Sequence, residues 1–279
     1  MNINRIIFVL SICLMALIGC NKKNEDTSIK ENTKNQVLNK PDPTYRVQEF
    51  FKSRYKKYNE QHQCYVRVFG AGTYCVTLKV IATNDINNGE LMYVVESGSP
   101  LEKDGSLANY HISTGLVTLF LIEDINNQIK VIAESEEINN GFFGTPNPVK
   151  TYRVGSDGQL GWILEDAYGN MGNIAGGISL YMQKDNKITE VASLSTFAGN
   201  AGACGDAKDQ ICDLSDINTV VEAVYAKNKK YFDLKVSTKM FTKEMGKAAV
   251  NKDMMKVIPF NDQKFTYDLE EVNKPYGSQ

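Results

Sequence analysis

The side chains that could do chemistry in this chain are few: two His, six Cys, a handful of closely spaced carboxylates, and three large aromatics beside glycines. His62 and His111 are not set in any nucleophile motif; HExxH is absent, as is GxSxG around any Ser. A Ser-His-Asp site could assemble in space only around His111. Glu165 and Asp166 follow the single Trp, Trp162, and would suit carboxylate-pair hydrolysis if both faced one cleft. Adjacent residues on a strand point to opposite faces, so such a mechanism needs its second carboxylate from elsewhere. Asp206, Asp209, Asp213 and Asp216 crowd the stretch GNAGACGDAKDQICDLSD, where calcium could find several of its six to eight oxygens. That stretch lacks the alternating spacing of an EF-hand loop, and solvated surface carboxylates are the plainer account. No other cofactor is indicated.

The most Gly-rich part, 141–177, carries Phe142, Phe143 and Trp162, and it has neither GxGxxG nor a Walker pattern. Its glycines therefore do not suggest a phosphate cradle. Loops carry function more often than the strands they join, which makes this segment the candidate contact surface, with Phe142, Phe143 and Trp162 as its aromatics, although a lone Trp beside glycines reads first as core or as a wall packed over a glycine. A hydrolase with its site near 141–177 is the alternative expectation.

These groups are placed by an N-terminal address. Arg5 precedes IIFVLSICLMALIG, a charged start and an apolar run of secretory-signal type. About 14 apolar residues are too few to cross a bilayer core, which takes roughly 20 in a helix. Leu17-Ile18-Gly19-Cys20 resembles a bacterial lipobox. The resemblance covers these four residues and the signal before them. It implies cleavage before Cys20, acylation of that Cys with palmitate-type chains, and a lipoprotein held on a membrane by lipid. Asn21 is not the Asp that favours inner-membrane retention in such lipoproteins, so in a Gram-negative envelope the expected address is the outer membrane, facing periplasm or surface. Residues 1–19 are then the signal peptide and 20–41 the acylated Cys with a flexible tether. The tether is polar, Asn-rich and too poor in apolar side chains to offset its ordering entropy.

With Cys13 removed and Cys20 acylated, Cys64, Cys75, Cys204 and Cys212 remain. An even number in an oxidising compartment reads as bridges. Gly70-Ala71-Gly72 can turn the chain between two β-prone runs, so Cys64 can meet Cys75 across a hairpin, and Cys204 to Cys212 would close a polar loop. Each such loop closure is worth roughly 2.5 to 3 kcal/mol in the chain-entropy account. A Cys₄ zinc site is disfavoured because both spacings exceed the usual two to four residues.

Residues 42–279 form the body, one large domain or two. Asp42-Pro43 can start a helix on which Val47, Phe51, Tyr55 and Tyr58 share a face. From Cys64 onward short runs rich in Val, Ile, Tyr, Phe and Thr alternate with Asn-containing turns at 87–89, 126–127 and 185–186. This predicts a mainly β fold, antiparallel and sandwich- or barrel-like, with a helix near each end. Phe241, Met245 and Ala248 would mark the second helix, with Lys239, Lys243 and Lys247 along its edge.

Loss of Arg5 with the signal moves the formal charge from −2 to −3. So small a charge sets up no field that would draw nucleic acid. Taken together, the sequence leads us to expect a non-enzymatic envelope lipoprotein that binds an envelope protein, a glycan or another ligand.

Overall fold

Alternation of apolar and polar residues, broken by residues that tolerate positive φ, produces a long meander. The computed structural model describes residues 41–55, 57–70, 72–110, 113–170, 173–200, 214–244 and 247–273. Helix α1 (Pro43–Lys52) starts where expected, with Asp42 Oδ1 accepting from the backbone N–H groups of Thr44 (2.8 Å) and Tyr45 (3.3 Å). It ends sooner than the apolar spacing suggests. Tyr58 lies in the short strand β1 (Lys57–Asn59), opposite Tyr65 of β2 (Cys64–Phe69).

Strands β3 (Gly72–Ile86), β4 (Gly89–Pro100), β5 (Gly115–Ile125) and β6 (Gln128–Ser135) follow in antiparallel register, with β7 (Ile138–Asn140) pairing back onto β5. The links are the expected ones: Asn88, Asn126, Asn127 and Asp185 all have φ between 52° and 63°. A second run contains β8 (Val149–Arg153), β9 (Leu160–Asn170), β10 (Asn173–Lys184), β11 (Lys187–Gly199), β12 (Leu214–Val224), β13 (Asp233–Lys243) and β14 (Val250–Ile258). It too is antiparallel throughout. The two runs share one sheet through a single parallel contact, Lys187 with Glu134 and Ile188 with Ser135. A hairpin of β15 (Phe260–Asn261) and β16 (Thr266–Tyr267) and one helical turn, α2 (Glu270–Asn273), complete the described chain. Among the described residues the sheet has open edges and does not close into a barrel.

The expected helix over Phe241 to Ala248 is not there. Leu234, Val236, Thr238 and Met240 alternate toward one face of β13, which continues through Phe241 to Lys243, so the period is two and the four-residue Lys spacing coincides with it. Met245 lies outside the described residues, and Ala248 is exposed.

Strand β5 is buried for eight residues in a row because both its faces are covered. Phe120 and Ile122 meet Val47 and Phe51 of α1, together with Leu78, Met92 and Val94. Val117, Leu119 and Leu121 meet Trp162 and Leu164 of the second run, with Tyr93 and Val95. A third cluster fills the inside of the second run, where Leu180, Met182, Leu234, Val236 and Ile258 pack with Phe265 and Tyr267 from the C-terminal hairpin. Each such aliphatic or aromatic side chain contributes roughly 1.5 to 3 kcal/mol by leaving water.

Charges are buried on the α1 side of the first run. Arg46 bridges Asp124 and Glu90, and the Asp124 side chain is almost wholly buried. Arg67 pairs with the buried Glu96, reaches Glu137 at 2.5 Å and donates to Thr118 at 2.9 Å. Tyr55 also donates to Glu96, and burial pushes its own pKa up to about 12. Removing one partner leaves the other charge desolvated. Arg67→Met should therefore cost about 3 to 5 kcal/mol in a urea titration. Arg67→Met combined with Glu96→Gln should recover part of that loss, whereas equal losses in both variants would show that Glu96 is not held by Arg67.

Candidate functional site

Two features of the surface stand apart, an exposed aromatic turn and a cleft. The first is the turn that carries Phe142 and Phe143. Asn140, at the end of β7, is buried; its Nδ2 donates to the Glu165 carbonyl at 2.9 Å, and its Oδ1 accepts from the Asn147 backbone N–H at 2.8 Å. Asn147 Nδ2 donates to the same carbonyl at 3.0 Å. Both ends of the 140–147 loop are thus tied to each other and to β9. Inside it, Thr145 N–H donates to Phe142 O (3.1 Å) and Gly144 N–H to Ser113 O (2.7 Å). Gly144 has φ +72°, and a Cβ there would lie 2.1 Å from the Ala108 carbonyl oxygen. Only glycine fits that position.

The loop presents two rings side by side, centroids 5.4 Å apart, each 43% exposed. Phe143 holds φ at +51°, a conformation that costs a bulky residue on the order of 1 to 3 kcal/mol. Tyr110, two residues beyond the Ala108 on which Gly144 rests, is also exposed. This aromatic turn lies by Pro100, at the end of β4 opposite Glu90, where Arg46 of α1 is bound. The length of β4 puts roughly 35 Å between them.

The second feature is a cleft of about 790 Å³ between β8–β10 and β12–β13. Ile163, Ile178, Leu180, Val221 and Leu234 line it, with Tyr152 and Arg153 of β8. The Tyr152 hydroxyl is buried without a hydrogen-bond partner among the described residues, and burial raises its pKa well above the usual tyrosine value. A groove of about 620 Å³ follows the contact of β6 with β11 and is lined in part by Glu134, Glu136, Glu137 and Glu190. Three of these four are already engaged, Glu134 by Arg54, Glu137 by Arg67 and Glu190 by Tyr181.

Of the residues singled out from sequence, Cys64 and Cys75 form a disulfide with Cα atoms 5.4 Å apart. Phe142 and Phe143 are exposed together. Trp162 is not part of their surface: its side chain is fully buried, its ring 5.2 Å from that of Tyr93, because residues 160–170 form a strand facing β5 and not an open loop. Glu165 and Asp166 do not converge. Glu165 pairs with Lys150 at 2.5 Å, while Asp166 Oδ1 accepts from the backbone N–H groups of Gly141 (3.3 Å) and Ala167 (3.0 Å). His62 Nε2 lies 3.1 Å from the Gly105 carbonyl oxygen. Asp216 is exposed on β12, and among the described residues no group of three or more His, Cys, Asp or Glu side chains could hold a metal. Cys20, His111, Cys204, Asp206, Asp209, Cys212 and Asp213 lie outside the described residues.

Sequence reasoning missed the cleft. Its aliphatic residues alternate along their strands as any core residues do, and only the curl of the sheet makes them face an opening. No family model matches the chain, and neither the curated proteins nor the solved structures searched contain a match.

Since the aromatic turn is held by backbone geometry, Gly144→Ala should lower the melting temperature and accelerate proteolysis within 140–147. Phe142→Ser should leave both nearly unchanged, as expected for an exposed ring. Equal effects from the two substitutions would show that the turn is not glycine-dependent.

Proposed function

We propose that this chain is a lipid-anchored protein of the bacterial cell envelope that works by docking an envelope protein through the Phe142–Phe143 turn. The observation that carries the reading is the rigid exposure of two neighbouring aromatic rings. Aromatic side chains supply much of the binding energy at protein interfaces, and a turn already fixed in place loses little entropy on docking. The partner face is an apolar pocket able to take one or both rings. Acylation at Cys20 and the polar stretch before Pro41 would confine the body to one membrane, the outer one in a Gram-negative envelope. Confinement raises the effective concentration toward anything fixed in the same layer, so a small contact suffices.

The anchor is tested by metabolic labelling with a fatty-acid probe. Label and membrane association should both be lost in Cys20→Ser, and label retained by that variant would remove the anchor from the proposal.

Docking is tested in cells with a photo-crosslinker placed at Phe143 and, as a control, at Asn88 on the opposite end of the first run. Position 143 alone should give a discrete adduct, and Phe142→Ser should weaken it about tenfold or more without changing the melting temperature. Equal adducts at 143 and 88, or indifference to Phe142→Ser, would overturn the docking reading.

A further inference from the structure

The cleft at the edge of the third core cluster has the size of a small-ligand site and a lining of mixed polarity, and the aromatic turn makes no use of it. Its volume of about 790 Å³ falls in the range typical of such sites, which are concave, largely apolar and carry a few placed polar groups. The apolar part is mainly aliphatic, with Ile163, Ile178, Leu180, Val221, Val224 and Leu234, and the rings of Tyr152 and Tyr225 complete it. The branched side chains outnumber the two rings, and such a lining suits a flexible hydrocarbon chain.

One charged side chain at the cleft, the exposed Arg153, forms no ion pair among the described residues. Arg153 donates from Nε to the Gly155 carbonyl and from Nη2 to the Ser156 carbonyl, both at 3.0 Å, and its guanidinium lies 5.8 Å from the centre of the Phe232 ring. No carboxylate among the described residues forms an ion pair with it. Of the other charges nearby, Lys235 pairs with Glu222 at 3.0 Å and Lys229 with Asp233 at 2.5 Å, while Lys230 Nζ lies 5.1 Å from the centre of the Tyr231 ring. Asp157, in the same turn, spends an oxygen on the Gln159 backbone N–H at 3.1 Å.

The position of Arg153 is set by the backbone. Phe232 N–H donates to Val154 O at 2.8 Å and Ser156 N–H to Lys229 O at 3.3 Å, which pins the β8–β9 turn to the segment before β13. A Cβ on Gly155 would lie 1.9 Å from the Lys230 carbonyl oxygen, so the approach needs glycine. A guanidinium held by two carbonyls keeps other N–H groups for an outside acceptor, and its fork suits carboxylate or phosphate oxygens.

We propose that this cleft binds a single-chain amphiphile with an anionic head group, its hydrocarbon chain lying along Ile163, Leu180 and Val221 and its carboxylate or phosphate on Arg153.

The test uses the full-length protein and a twelve-carbon fatty acid bearing a diazirine in its chain. Photolabelling should map to peptides from β9, β10, β12 and β13, and Val221→Trp, which fills the cleft from a half-buried position, should abolish it. Unlabelled dodecanoate and monododecyl phosphate are the competing anions, with dodecanol as the neutral control. Competition by either anion at concentrations where dodecanol has little effect supports the site, and the stronger of the two identifies the head group. Arg153→Ala should weaken the anions about tenfold while leaving dodecanol unchanged, and Arg153→Lys should restore part of the difference. Melting temperatures of all three variants should match the parent protein. Label spread over the chain, dodecanol competing as well as the anions, or an Arg153→Ala variant that discriminates as before would each overturn the proposal.

Discussion

Burial of β5 on both faces is the constraint from which the rest of the body follows. An antiparallel strand with one wet face would show alternation, but Leu116 to Ile122 is apolar except for Thr118, and every one of these side chains is buried. Such a strand is stable only if two separate covers are supplied. One is α1, through Val47 and Phe51; the other is the second run of strands, through Trp162 and Leu164. Trp162 accepts a penalty for its part in the second contact. Its Nε1–H is buried without an acceptor among the described residues, so the ring is held by area and by its tilted contact with Tyr93.

Much of this was legible beforehand, and the reasons are local. The Asp42-Pro43 cap, the Asn-based turns and the Cys64–Cys75 hairpin depend on residues within a dozen positions of one another, where backbone preferences act directly. Trp162 as a contact residue and Phe241 to Ala248 as a helix are the two readings that the structure corrects, because their fate is decided at a distance. A Trp among glycines looks like loop until β5 is known to need a cover, and Phe241 fits a helix until β14 offers it a partner strand. The buried charges were equally invisible. Arg67, Glu96 and Thr118 are far apart in the chain, and nothing in their local sequence marks them as more than surface residues of alternating strands.

The two proposed contact regions share a wall. Strand β9 gives its Glu165 carbonyl to Asn140 and Asn147, which hold the aromatic turn, and its Ile163 to the aliphatic cleft, while Trp162 and Leu164 fix the strand to β5. Each successive residue of 162–165 thus serves a different structure. A rigid strand can do this because its side chains alternate while its backbone faces sideways.

The parallel contact between β6 and β11 has a further consequence. Only two residue pairs join the ladders of the two runs, whereas the pairing within each run extends for many residues. What keeps the halves together across that line is mostly side-chain packing, which depends steeply on distance and fails all at once when a gap opens. Under a force that pulls the halves apart, the line between β6 and β11 is where the body yields. Each half can then keep its own zip closed while the other opens.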